Sequence, residues 1–227
     1  MFNQNFLKDI VGSTELPAYL AWERLFNVSY DLDTEIVKLY FLDETKSFLY
    51  KVGPEGISKQ FSAEKFNADA NRLSAFLGQH FDYDRISLDT VEDDVFYLYL
   101  ETASLAERND FLSCVCQRYG IGKDQFVTAA NRINARQSAN LYECLMNNAV
   151  VGIKIPLLND RCKLYARPFD TGNGYVLGDK AESFLLNLYA CQQEELFQRI
   201  RYLWVSTEIL SGRMVLTTQR HELIHAV

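Results

Sequence analysis

The stretch Cys162-Lys163-Leu164-Tyr165-Ala166-Arg167-Pro168-Phe169 alternates between two chemistries along the chain. Side chains on a β-strand point to opposite faces with a period of two, so Lys163, Tyr165 and Arg167 share one face. The residues between them are apolar or small and share the other face. The stretch therefore predicts a strand with one basic and aromatic face and one apolar face.

The same alternation occurs in pairs of segments that are separated by short turns. The predicted pairs are Leu25 to Asp33 with Glu35 to Asp43, Ile86 to Val91 with Val95 to Glu101, Val150 to Leu158 with Cys162 to Phe169, and Tyr202 to Ile209 with Met214 to Arg220. Such pairs predict antiparallel hairpins. The sequence thus predicts four hairpins. It leaves open whether Phe48 to Phe61 forms a further, irregular pair around Gly53-Pro54.

Helical periodicity fills the intervals between the hairpins. The predicted helices are Ala63 to Leu77, Ser104 to Arg118, Lys123 to Asn147 and Asp179 to Arg199, and Ser104 with Glu107 forms a capping signature. Antiparallel hairpins joined by helices exclude a doubly wound parallel sheet. A closed sheet removes exposed strand edges and encloses the polar faces. We therefore predict an α+β fold: a single domain over residues 1–227 in which helices ring a closed antiparallel β-barrel with a polar lumen.

Composition narrows the functional classes. The 227 residues are 48% hydrophobic, enough to bury the core of one domain. The net charge of −7 argues against a nucleic-acid partner. No apolar run is long enough for a bilayer and no signal-peptide core is evident, so we expect a cytoplasmic protein without a membrane partner. Five cysteines without paired spacing suit a reducing compartment.

Motifs in the last third of the chain resemble those of a known family. They run from Cys162-Lys163-Leu164-Tyr165 through Tyr175-Val176-Leu177-Gly178-Asp179 to Tyr202-Leu203-Trp204-Val205-Ser206-Thr207, with Phe76-Leu77-Gly78 and Phe81-Asp82 upstream. These residues resemble the cyanobactin peptide prenyltransferases, of which this chain would be an unusually short member. Gly152-Ile153-Lys154 is also similar to aromatic prenyltransferases generally. The resemblance implies the ABBA fold, a closed antiparallel barrel ringed by helices with the active site in its lumen.

The resemblance also implies a reaction and a set of site residues. The family moves a dimethylallyl or geranyl group from its diphosphate to a side chain of a cyclic or linear ribosomal peptide. Basic residues hold the diphosphate, aromatic residues shield the allyl cation, and carboxylates take the proton or hold the acceptor. The implied diphosphate-binding residues are Lys38, Lys154, Lys163 and Arg167. The implied cation shield is Tyr40, Tyr97, Tyr99, Tyr165 and Trp204. The implied catalytic acids are Asp31 and Glu101, and the implied acceptor-binding acids are Asp89 and Glu208.

Three departures from the family pattern qualify these roles. Asn27, which cannot act as a base, stands where the family has its first-hairpin acid, so Asp31 or another strand must serve. The strand from Val95 to Glu101 carries aromatic residues where the family has basic ones, which shifts diphosphate binding toward Lys154 and Lys163. Four hairpins are one fewer than the family's five. A missing repeat would leave an open edge, which a homodimer or a terminal segment would cover.

The acceptor and the metal requirement stay open at the sequence level. Known relatives modify Tyr, Trp, Ser, Thr, His, Arg and chain termini. Several lumen carboxylates would suit the guanidinium of arginine, so we expect an arginine acceptor, with Tyr or Trp as the alternative. The expected partners are a peptide and an allylic diphosphate, with dimethylallyl diphosphate as donor. Mg²⁺ is compatible with this chemistry, but no motif implies it, because Glu92-Asp93-Asp94 does not make an Asp-Asp-x-x-Asp site.

Two readings compete with the prenyltransferase. Strands with one polar face are common in ordinary antiparallel sheets, so the chain is alternatively a non-catalytic binding barrel. His221-Glu222-Leu223-Ile224-His225 matches His-Glu-x-x-His, a zinc metallopeptidase motif, when it lies on a helix. Only two residues follow His225, and His80 is the sole remaining histidine that would supply a third ligand. The metallopeptidase is thus a remote alternative.

Overall fold

The computed structural model describes residues 2–11, 16–44, 48–61, 66–78, 87–92, 95–100, 104–133, 136–147, 150–166, 178–195 and 202–219. The strands within these residues are β1 (Leu25–Asp31), β2 (Val37–Leu42), β3 (Phe48–Gly53), β4 (Gly56–Phe61), β5 (Ser87–Glu92), β6 (Val95–Tyr99), β7 (Gly152–Pro156), β8 (Lys163–Ala166), β9 (Tyr202–Glu208) and β10 (Met214–Gln219). The α-helices are α1 (Gln4–Val11), α2 (Phe66–Leu77), α3 (Leu105–Tyr119), α4 (Lys123–Arg132), α5 (Leu141–Met146) and α6 (Asp179–Tyr189). No helix in this part of the chain is long and apolar enough to cross a bilayer.

The strands form one hydrogen-bonded order, β4-β3-β2-β1-β10-β9-β8-β7-β6-β5. The strand pairs with a defined register are antiparallel. Within the described residues, β4 and β5 stand at the two ends of this order. The predicted α+β class with an antiparallel sheet is therefore confirmed.

The chain divides into two compact units. The first unit comprises residues 1–62, 177–204 and 214–227, and the second comprises residues 63–176 and 205–213. The polypeptide passes from the first unit to the second within β9, after Trp204.

In the first unit, helices α1 and α6 cover one face of β1 and β2. The amide of Asn3 donates to the carbonyl of Leu188 at 2.7 Å, which ties the two helices together. The ring of Tyr30 on β1 stacks on Phe184 of α6, with 4.1 Å between the ring centroids. Burial along β2 follows the predicted period of two: Val37 is buried and Lys38 is half-buried, and the pattern continues to Leu42.

In the second unit, the apolar face of the sheet forms a continuous buried row. Leu98, Ile153 and Leu164 lie opposite one another on β6, β7 and β8, and each is at most 1% exposed. Helix α3 begins at the predicted capping box, in which the Ser104 hydroxyl accepts from the Glu107 amide and the Glu107 carboxylate accepts from the Ser104 amide. Helix α5 packs against α3 and α4.

The predicted count of four hairpins is wrong by one. Strands β3 and β4 pair in unbroken register from Phe48↔Phe61 to Gly53↔Gly56, which makes a regular fifth hairpin. Gly56 adopts φ 103°, a conformation open to glycine, and this closes the two-residue turn after Gly53. The fifth hairpin is therefore present. Its supposed absence was the reason for expecting a homodimer, and that reason no longer applies.

Two predicted helices are shorter than expected, and one helix was not predicted. The expected helix from Lys123 to Asn147 divides into α4 and α5 because the Asn131 amide binds both the amide and the carbonyl of Ser138, at 2.9 and 2.8 Å. Helix α6 ends at Tyr189 because Ala190 adopts the left-handed conformation, with φ 47°. Helix α1 has no counterpart among the predicted helices.

Candidate functional site

Polar side chains of the second unit meet across three neighbouring strands. Lys154 on β7 lies opposite Lys163 on β8, and Lys163 lies opposite Glu208 on β9. One step along the strands, Gly152 lies opposite Tyr165, and Tyr165 lies opposite Ser206. We call this set the cross-strand cluster: Gly152, Lys154, Lys163, Tyr165, Ser206 and Glu208. Directly opposite residues on one face are within about 5.5 Å at Cβ, so their side chains interact.

The Lys163–Glu208 ion pair anchors the cluster. Lys163 Nζ lies 3.5 Å from Glu208 Oε1, and the two side chains are 22% and 8% exposed. Ser211 Oγ donates to Glu208 Oε2 at 2.7 Å, so both carboxylate oxygens are engaged. Removing one partner of a buried ion pair leaves an uncompensated charge and is strongly destabilising. Glu208 therefore depends on Lys163, and its expected role as an acceptor clamp would have to compete with this pair.

The two lysines give the cluster its chemical capacity. Lys154 and Lys163 are both half-buried and directly opposite, an arrangement in which like charges repel. An oxyanion with several oxygens would accept hydrogen bonds from both lysines and relieve the repulsion. The register thus brings together two of the four predicted diphosphate-binding residues, Lys154 and Lys163, and their role in binding stays a prediction.

Tyr165 is the next residue after Lys163 on the same face of β8, two positions further along the chain, and it is half-buried. Its neighbour on β7 is Gly152, where an added Cβ would lie 2.9 Å from the Leu98 carbonyl oxygen. No larger residue fits there without a shift of the β6 backbone. Strand β7 consequently presents bare backbone beside Tyr165, one step away from the two lysines.

Several expected site residues fall where the side chains or the whole residues lie outside the described part. The backbone of Tyr97 pairs with Lys154, Tyr99 pairs with Gly152, and Asp89 pairs with Tyr97, but their side chains are not described. Wholly outside the described residues lie Glu101, Arg167, His221, Glu222 and His225. The register therefore places the backbones of Tyr97, Tyr99 and Asp89 beside the cluster, on β6 and β5.

The first unit has its own polar face. On it, Lys38 of β2 lies opposite Ser29 of β1, and Tyr40 lies opposite Asn27. The Lys38 stem covers Gly53 of β3, since a Cβ added there would lie 3.3 Å from Lys38 Cγ. Lys38, Tyr40 and Asn27 are half-buried, as is Trp204 on the part of β9 that belongs to this unit.

Asp31 has a structural contact set that the sequence reading did not predict. Asp31 is 5% exposed, and its Oδ1 accepts hydrogen bonds from the amides of Asp33 and Thr34 at 3.1 and 2.9 Å. This is the bonding of an Asx turn, in which an aspartate replaces a backbone acceptor. Asp31 thus stabilises the β1–β2 turn, and its role as a base stays a prediction.

Two further residues of the second unit were missed. Ser211 holds the second oxygen of Glu208. The Arg132 guanidinium at the end of α4 lies against Gly212 in the β9–β10 turn, in space that a Cβ would occupy. The Ser211-Gly212 dipeptide is a turn signal, but nothing in the sequence pairs that turn with α4.

Comparison with protein-family models, with curated proteins and with solved structures finds no match for this chain. Within the described residues, no three His, Cys, Asp or Glu side chains gather in an arrangement that would hold a metal ion. The features that bear on function are therefore the cross-strand cluster and the sequence motifs of the last third of the chain.

Proposed function

We propose that the protein is a peptide prenyltransferase that moves a dimethylallyl or geranyl group from an allylic diphosphate to a side chain of a ribosomal peptide. One observation carries the proposal: Lys154 and Lys163 lie directly opposite on neighbouring strands, with Tyr165 one step away. Paired ammonium groups suit a diphosphate, and an adjacent aromatic ring suits the allyl cation that forms when the diphosphate leaves.

The proposal includes closure of the sheet into a barrel. Apart from β4 and β5, strands that follow one another in the chain are neighbours in the sheet, and β1 pairs with β10, so β4 and β5 stand at the two ends of the order. These two strands are also consecutive in the chain. Pairing of β4 with β5 would remove both edges and place the polar faces in a common lumen.

The reaction follows from these groups. The allylic C–O bond breaks and its electron pair stays on the diphosphate, whose growing charge Lys154 and Lys163 stabilise. The allyl cation is held against aromatic faces, of which Tyr165 is the described candidate in the cluster. An acceptor nitrogen, oxygen or ring carbon of the peptide then attacks the cation and loses its proton to a carboxylate.

The acceptor is proposed to be the guanidinium of arginine. The experiment is to incubate the protein with dimethylallyl diphosphate and cyclic peptides that differ only in Arg, Tyr, Trp or His. Fragment masses then locate the added group. We expect transfer to arginine. Transfer to Tyr or Trp with Arg untouched would keep the prenyltransferase and reject the arginine acceptor.

The base is tested by a matched pair of variants. Asp31 Oδ1 already accepts two backbone hydrogen bonds, and Asn keeps that oxygen, so Asp31→Asn should keep the turn intact and lose less turnover than Glu101→Gln. Glu101→Gln should lower turnover by roughly 10²–10⁴-fold, the usual contribution of a general base. The reverse ranking would make Asp31 the base.

The same assay separates the competing functions. A non-catalytic binding barrel would bind the diphosphate and form no product with any peptide. A metallopeptidase would cleave the peptides, and a chelator would abolish the cleavage. Such cleavage would support the zinc metallopeptidase alternative, with His221 and His225 as ligands and Glu222 as base.

A further inference from the structure

A groove in the first unit lies on the helix-covered side of β1 and β2, away from the face that carries Lys38 and Tyr40. It is bounded by α1, α6 and the β1–β2 turn, and its volume is about 440 Å³. That volume falls in the lower part of the range of about 300–1,000 Å³ that small-molecule sites occupy. The groove uses none of the residues assigned to prenyl transfer.

The floor of the groove is aromatic and apolar. Tyr30 and Phe184 stack with their planes 6° apart, and Phe6 lies 5.8 Å from Phe184 between ring centroids. Ile10 lines one side and is 38% exposed, which is high for an isoleucine next to a core. Tyr30 and Phe184 are 8% and 5% exposed, so they offer a ligand limited contact area, and Phe6 and Ile10 supply the more accessible apolar surface. A surface of this kind favours a ligand with a small apolar body.

The rim of the groove is acidic. It carries the carboxylates of Glu35 and Asp179 and the single ammonium group of Lys180. The amino terminus of α6 adds a positive partial charge of roughly one half, which does not offset the second carboxylate. The charge of Glu35 also reaches the floor, since burial and then Glu35 raise the pKa of Tyr30. The rim therefore favours a cation.

Glu35 has a left-handed backbone conformation and forms the ion pair of the rim with Lys180. Its φ of 58° lies in the left-handed region, which costs conformational energy for any residue with a Cβ and little for glycine. Its Oε1 lies 2.5 Å from Lys180 Nζ, and both side chains are more than half exposed. An exposed pair of this kind is weak and exchangeable. Lys180 thus occupies a carboxylate that a ligand ammonium group can take over.

We propose that this groove binds a small organic amine, with its ammonium group on Glu35 in place of Lys180 and its apolar body on Tyr30, Phe184 and Ile10. The proposal is independent of prenyl transfer, because it rests on the opposite face of β1 and β2. It also explains why a glutamate stands at a position whose backbone favours glycine.

The test uses phenethylamine as the cationic probe and 3-phenylpropanoate as an anion of similar size, both titrated by calorimetry. Phenethylamine should bind and 3-phenylpropanoate should not. Glu35→Gln and Glu35→Gly should each weaken phenethylamine by about two- to fivefold, the range of an exposed ion pair. Lys180→Gln should tighten phenethylamine by a similar factor, because the competing ammonium group is gone. Glu194→Gln, which removes an acid outside the groove lining, should change nothing.

The two Glu35 variants separate binding from folding. Glu35→Gly relieves the left-handed strain, so it should unfold at a higher urea concentration than Glu35→Gln while binding the amine equally weakly. Preference for 3-phenylpropanoate, weakened by Lys180→Gln, would overturn the proposal in favour of an anion site. Absence of heat with phenethylamine would also overturn it. Tighter binding of a capped lysine dipeptide than of phenethylamine would overturn it too, because the groove would then favour a lysine side chain of a protein over a small amine.

Discussion

Each unit has a buried acid on the polar face of a strand, but the two acids have different hydrogen-bond and ion-pair partners. In the second unit, Glu208 is bound by Lys163 of the neighbouring strand and by Ser211. In the first unit, Asp31 accepts from the amides of Asp33 and Thr34 in its own turn. Glu208 therefore takes part in a charge arrangement that crosses three strands, whereas Asp31 serves the local backbone.

This difference shows that alternation predicts the face of a side chain but not its partner. Lys38 in the first unit covers a glycine of β3, while Lys163 in the second faces both another lysine and a glutamate. The second unit thus holds the stronger candidate for anion binding.

The largest expected effect is on diphosphate binding by the second unit. Lys163→Met should weaken a non-hydrolysable allylic diphosphate analogue by roughly 10- to 150-fold, since a hydrogen bond to a charged group contributes about 1.5–3 kcal/mol. Lys38→Met is the matched variant in the first unit and should have a smaller effect. Calorimetric titration of both variants makes the measurement. An equal or larger loss in Lys38→Met would reverse the asymmetry.

Stability and binding can be separated at the same ion pair. Lys163→Met leaves the Glu208 carboxylate buried without its ammonium partner, so urea unfolding should show a loss of stability. The double variant Lys163→Met/Glu208→Gln removes that charge and should regain stability without regaining binding. If the double variant bound the analogue normally, Lys163 would have only a structural role.

The next effect is a loss of stability at alkaline pH. Burial, aided by the nearby Cys116 and Asp160, raises the pKa of Cys162 to about 12, and burial raises the pKa of Tyr189 to about 12. Both groups are neutral when protonated, and an unfolded chain releases their protons near pH 9 and pH 10. Stability is therefore complete below about pH 9 and falls toward about pH 12, at up to roughly 1.4 kcal/mol per pH unit for each group.

Urea unfolding over that alkaline range tests the two units separately. Cys162→Ala should make the fall shallower by removing one contribution of the second unit, in which burial also raises the pKa of Tyr119, and Tyr189→Phe should remove one contribution of the first. Cys191→Ala is the control, because this thiol is half-buried and outside the core. Stability that stays constant or rises with pH in the unmodified chain would contradict the buried positions of Cys162 and Tyr189.

The smallest effect compares one glycine of each unit. Gly212→Ala would place a Cβ in the Arg132 guanidinium at φ 73°, so it should cost about 1 kcal/mol or more. Gly53→Ala would meet only the flexible Lys38 stem, so its effect should stay within about 0.5 kcal/mol. Adding Arg132→Ala to Gly212→Ala should recover the part of the loss due to overlap. Equal losses at the two glycines would refute the close approach of Arg132.

The hairpins were predictable where one face is buried and the other is polar, because burial enforces the period of two. The pair β3 and β4 was harder to recognise, since Lys59 and most of β4 are exposed and the alternation there is weak. The break between α4 and α5 was not predictable from periodicity, because it depends on the Asn131 amide reaching the Ser138 backbone. That contact forms only when the chain turns back.

The candidate site was predictable in its faces and less so in its pairings. Placing Lys163 and Tyr165 on one face requires only alternation, but bringing Lys154 opposite Lys163 requires the length of the turn between β7 and β8. The Ser211 contact of Glu208 depends on the β9–β10 turn, which the sequence identifies as a turn without revealing its hydrogen bonds. Register and turn geometry thus supplied what residue types alone did not.

We propose that the second unit binds an allylic diphosphate through Lys154 and Lys163. Calorimetry of dimethylallyl thiolodiphosphate, an unreactive donor analogue, tests it most directly. We predict saturable binding to the unmodified chain and strong weakening in both Lys154→Met and Lys163→Met, with the double variant Lys163→Met/Glu208→Gln as the folded control. Failure of the unmodified chain to bind the analogue, or undiminished binding by both lysine variants, would contradict the account.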